Sequence, residues 1–134
     1  MENINIKVLD GFLGINHFEL TEAQDSPDFF GNFIRVWKSP FFSVRLVKDR
    51  GEQAIEVSSP ADHDNWIDLS LIKEIVEGDS YVNDILQINE AVAFLKGHLS
   101  DIQRLLRMPD YLVTQKKLTK IRSERTGLFL KRRK

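Results

Sequence analysis

The chain contains no cysteine. That excludes disulfides, thiolate metal sites and cysteine nucleophiles, and it fits a reducing compartment. No apolar run approaches the roughly 18 residues of a membrane span. The opening stretch MENINIKVLDGFLG carries Glu2 and Asp10 without a long apolar core, so it does not read as a signal peptide. A nucleophile elbow, a glycine-rich phosphate loop and a metalloprotease helix pair are also missing. These absences predict a soluble cytoplasmic protein that is not an enzyme and needs no cofactor.

What is present is an ordinary globular composition. Apolar residues make up 42% and charged residues 29%, which suits a folded chain and not a disordered one. A length of 134 residues fits one domain, able to bury about two-thirds of its unfolded surface. The net charge of −1 conceals a split. Met1 to Asp110 holds 10 Lys and Arg against 19 Asp and Glu, a balance of −9. Residues 111–134 hold 9 against 1, a balance of +8. Polarity of this kind marks an interaction surface or a tail.

The hydrophobic spacing predicts the elements. Val8, Leu9, Phe12 and Leu13 recur at helical intervals in a segment that begins at Ile4 and closes at Gly14. HFELTE then suits a first strand, and AQDSPDFFGN gathers turn formers. FIRVWKS, FFSVRLVKD and QAIEVSS alternate in the strand period. In the first, Ile34 and Val36 oppose Phe33, Arg35 and Trp37; in the others Phe42, Val44, Leu46, Ile55 and Val57 form the apolar side. Pro40 belongs in a turn, because it cannot donate to a ladder. Gly51 suits the hairpin turn in KDRGEQ. After the polar loop SPADHDNW, Asp68 is placed to cap a helix that ends at Gly78. Ile88, Ala91, Val92, Leu95, Leu99, Ile102 and Leu106 form a long helical stripe, which Pro109 stops. Asp110 can open one more, basic helix. The expectation is a single α+β domain over 1–134, with a helix, a meander of about four antiparallel strands, and C-terminal helices packed on one face. Trp37 and Trp66 are expected to hold helices to sheet.

Candidate chemistry is thin. Asp62, His63 and Asp64 are close enough in sequence to hold a divalent cation, but a polar loop ahead of a helix accounts for them more simply. His98, on the long helix, reads as a partly exposed or satisfied histidine. The acids of the turns and helix faces read as solvated, since acid–base catalysis needs a carboxyl in a cleft with a shifted pKa. The basic end has two readings. Lys116, Lys117, Lys120, Arg122 and Arg125 could follow a nucleic-acid backbone. Docking of this end on the acidic body, or plain solvation, is the favoured alternative.

The ordered run from LDGFLGINHFELTEA through FFGNFIRVWKSPFFSVRLVKDRGEQAIEVSSP to NWIDLSLIKEIV resembles small bacterial immunity proteins of polymorphic or contact-dependent toxin systems. The resemblance covers about residues 8–76. It rests on Phe18 and Leu20, the FGN turn at Phe30 to Asn32, Val44 to Gly51, Ser59 with Pro60, and Trp66 ahead of Asp68 and Leu69. Asn16 and His17 stand where a glycine is expected before the phenylalanine. The resemblance implies a bacterial cytoplasmic protein that binds and neutralises one cognate toxin, with no chemistry of its own. Many toxin domains are basic, and an acidic surface would speed their capture. Candidate contacts are Asp25, Asp28, Asp62, Asp64, Glu77 and Asp79, with Arg50 exposed at the hairpin tip; singly, each acid also serves solubility.

Overall fold

A computed structural model of the chain describes residues 4–26, 32–49, 51–78 and 86–132, with side chains for 6–24, 32–49, 51–78 and 86–127. The elements run α1 (Ile4–Ile15), β1 (Glu19–Ser26), β2 (Asn32–Lys38), β3 (Ser43–Asp49), β4 (Glu52–Ser58), β5 (Ile67–Asp68), α2 (Leu69–Glu77), α3 (Ile88–Leu106) and α4 (Asp110–Arg132). The class is α+β, and the sheet is an antiparallel meander in the order β1-β2-β3-β4-β5.

The sheet has five strands where about four were expected. The fifth is two residues long, with Ile67 opposite Val57 and Asp68 opposite Glu56. Two residues carry no readable period, so the pattern could not announce it. β1 also runs further than HFELTE. Ala23, Gln24, Asp25 and Ser26 pair with Arg35, Ile34, Phe33 and Asn32, which draws half of the expected turn into the ladder. A bulge between Leu20 and Glu22 shifts the register there.

Register decides which side chains meet the helices. Val44 lies between Trp37 and Val57, and Leu46 between Arg35 and Ile55. Directly opposite residues in an antiparallel pair share a face. Trp37, Val44, Leu46, Ile55, Val57 and Ile67 therefore point together, and all belong to one buried cluster with Leu9 and Leu13 of α1, Leu69 and Ile72 of α2, and Ala91, Leu95 and Ile102 of α3. Trp37 is 1% exposed, and its indole Nε1 donates to Asp10 Oδ1 at 2.7 Å, which pins α1 to the sheet. The other tryptophan departs from expectation. Trp66 lies outside this cluster, with its ring 4.5 Å from the Arg45 guanidinium on the opposite face.

The helices follow their spacing. α1 ends one residue past Gly14, and the left-handed residue behind it is His17 at φ 69°. Asp68 caps α2 by accepting from the Ser70 amide at 2.9 Å, and Gly78 closes it at φ 76°. The α3 stripe is buried as expected, apart from a half-buried Leu99, with one non-helical residue at His98. α4 continues through TGLFLKR to Arg132 and packs mainly on α2 and α3. The C-terminal helices thus form two layers: α2 and α3 on the sheet beside α1, and α4 outside them.

Candidate interaction surface

Because α1, α2 and α3 bury against one face of the sheet and α4 stacks on α2 and α3, none of the described helices covers the other face. Alternation brings every other residue of each strand there. Val36, Arg45 and Glu56 form one row, and Ile34, Val47 and Ala54 form the next. Val36 is 4% exposed yet stands apart from the core cluster, while Ile34, Val47 and Ala54 are half-buried. β2 is therefore apolar on both sides. The expected opposition of Ile34 and Val36 to Trp37 is correct as geometry, but it is Trp37 that meets the helices.

Around this apolar row the charge is mostly negative. Among the described residues, Glu19 and Glu22 on β1, Asp49 on β3, Glu52 and Glu56 on β4 and Asp68 on β5 share the face with two cations, Lys38 and Arg45. Arg45 is already engaged. Its Nε and Nη2 donate to Glu56 Oε1 at 2.9 and 2.7 Å, while its guanidinium covers Trp66. This stack fixes three long side chains in one orientation and keeps an aromatic ring on the face. Two cavities border the apolar row. One of about 250 Å³ is lined by Gln24, Ile34, Val47 and Asp49, and one of about 290 Å³ by Val47, Glu52, Ala54 and Asp68.

Among the described residues, the acids singled out from sequence do not gather. Asp25 sits opposite Phe33 at one end of β1, and its side chain lies outside the described residues, as do Asp28, Arg50 and Asp79 altogether. Asp62 and Asp64 occupy the loop at the other end of the sheet, separated from Asp25 by the length of a seven-residue strand, about 20 Å. Asp62 is turned inward, accepting from the Tyr111 hydroxyl at 2.9 Å and from Asn65 Nδ2 at 3.2 Å. Burial first, then the hydrogen bond and charge of Asp62, push the Tyr111 phenol above its usual pKa. Ser59 ties the same loop down by donating to the Leu106 carbonyl at 2.5 Å. His63 lies 3.5 Å from Asp64, and both are exposed. Among the described residues no three His, Asp or Glu side chains are grouped to hold a metal ion. Glu77 is paired with Lys73 at 2.9 Å.

The basic candidates divide. Lys116, Lys117, Lys120 and Arg122 are exposed along α4. Arg125 turns inward to α2, where Nη1 donates to Ser70 Oγ at 3.3 Å and Nη2 lies 3.8 Å from Glu74 Oε2. Apart from the α2 cap Asp68, the carboxylates that do share a surface, Glu19, Glu22, Asp49, Glu52 and Glu56, are not among the sequence candidates. Their signal was the polar half of each strand alternation, which identifies a wet face without saying what it meets.

Comparison with protein-family models, curated proteins and solved structures finds no match for this chain. Among the described residues no helix is long and apolar enough to cross a membrane.

Proposed function

We propose that the chain is a non-enzymatic protein-binding module of the immunity type, which neutralises one cognate bacterial toxin in the cytoplasm by covering it with the helix-free face of the sheet. The observation that carries this reading is the row Ile34, Val47 and Ala54, apolar and half-buried, inside a frame of six described carboxylates. An apolar centre with a charged rim is the anatomy of a recognition surface. The sign of the rim selects a basic partner and accelerates its encounter. The test is capture of a protein encoded beside the gene and neutralisation of its toxicity. Association should slow steeply with salt, and Glu52→Lys should lower the association rate about tenfold at low ionic strength. A complex whose association ignores both salt and Glu52→Lys argues against this face.

A second reading is nucleic-acid binding by α4, favoured by the four exposed cations Lys116, Lys117, Lys120 and Arg122 on one helix. It requires duplex or single-strand affinity that falls with salt and disappears when these four are changed to glutamine. Retention of affinity in that variant removes this reading.

A further inference from the structure

β1 is the edge of the sheet, eight residues long, with one side hydrogen-bonded to β2 and no strand on the other among the described residues. Such an edge offers a row of backbone donors and acceptors to any extended chain. Native edges are commonly blunted by lysine, proline or a bulge. Of these β1 has only the bulge after Leu20; its sequence ELTEAQDS contains three carboxylates, no cation and no proline. The two sides of this strand differ. Leu20 and Ala23 pair with Trp37 and Arg35 and so point to the helix side, where Leu20 is 45% exposed. Glu19 and Glu22 pair with Lys38 and Val36 and point to the helix-free face.

We infer that β1 accepts an extended, basic segment of a protein partner as a sixth strand. Its apolar side chains would lie over Leu20 and Ala23, and its lysines or arginines opposite Glu19 and Glu22. Main-chain hydrogen bonds supply affinity in this mode, and alternate side chains supply specificity. A second copy of the chain fits poorly. Antiparallel β1–β1 pairing would bring six carboxylates into one ribbon with no cation, and like charges across a strand pair are destabilising. The inference rests on the protein-binding reading and deepens it, because the edge is continuous with the acidic face.

The probe is a fluorescent eight-residue peptide of alternating lysine and valine, with an alternating glutamate–valine peptide as control. Hydrogen exchange of the whole protein should show new protection confined to β1 amides when the basic peptide is added. The double variant Glu19→Lys, Glu22→Lys changes two β1 side chains outside the core and should weaken that peptide at least tenfold. The glutamate peptide should not bind. Protection elsewhere, equal binding of both peptides, no binding of the basic one, or self-association through β1 would each overturn the inference. Should a basic partner still be captured, with capture responding to Glu52→Lys but with no new protection of β1 amides in the complex, the edge fails while the protein-binding reading stands. Should the peptide add to β1 while no protein is captured, that reading fails and the edge remains.

Discussion

The two faces of one sheet are made from the same strands and differ in what covers them. On the helix side Trp37, Val44, Leu46 and Val57 are sealed beneath α1, α2 and α3. One residue along each strand, Val36, Arg45, Val47 and Glu56 face the other way, with no described helix above them. The helix side therefore carries the fold, because its apolar area leaves water on folding. Less of that energy is at stake on the opposite side, where Val36 is buried but Ile34, Val47 and Ala54 are only half-buried. The sharpest way to break this contrast is Trp37→Ala. Emptying that site and cutting the tie to Asp10 should cost about 3–5 kcal/mol in denaturant unfolding. A loss no larger than that of a far-face substitution would show that the helix side does not dominate.

The next effect concerns how the helix layer grips the end of the sheet. Ser59 is fully buried, donates to the last turn of α3 and accepts from the Ala61 amide at 3.1 Å. Ser59→Ala leaves a buried carbonyl and an amide without that partner, and should cost about 1–3 kcal/mol. A cost near zero would mean that water replaces the hydroxyl and that the loop is not held through α3.

Tyr111→Phe tests the same region by pH, with a smaller effect of about 1 kcal/mol at neutrality. The phenol's pKa is raised above 10.0 in the folded chain, so the folded state holds that proton more tightly than the unfolded chain does. Its contribution is fully present below pH 10 and is lost as pH climbs from there towards the raised value. The difference in stability between wild type and Tyr111→Phe should therefore shrink above pH 10 and stay flat below it. A difference that grows with alkalinity would reverse the sign and place the tyrosine outside this hydrogen bond.

Much of the helix-side architecture was legible in the sequence, because long periods repeat enough times to be counted. The α3 stripe, the Asp68 cap and the Gly78 stop all fall where spacing and cap chemistry put them. What escaped was either too short or dependent on register. β5 has two residues, and β1 extends into a turn-rich stretch only because β2 is there to pair with it. Trp66 looked like core by residue type, yet the Arg45 and Glu56 side chains that hold it come from β3 and β4. The candidate surface was hidden for the same reason. Its carboxylates lie on separate strands, and only the ladder sets Glu22, Glu52 and Glu56 on one face, while the acids adjacent in sequence face inward, pair locally or sit at opposite ends.

The smallest expected stability change belongs to the middle of the helix-free face. Ile34 is half-buried beside Val47, outside the core cluster. Ile34→Lys loses a favoured strand residue and some apolar contact, about 0.5–1 kcal/mol. The same change places a cation at the centre of the acidic frame and removes an apolar contact from the proposed interface, so affinity for a basic partner should fall at least tenfold. The ratio of the two effects is what separates a recognition surface from a second core. If Ile34→Lys unfolds the protein as readily as Trp37→Ala, then both faces of β2 are structural, and the sheet is a central layer whose far side is closed by something other than a partner.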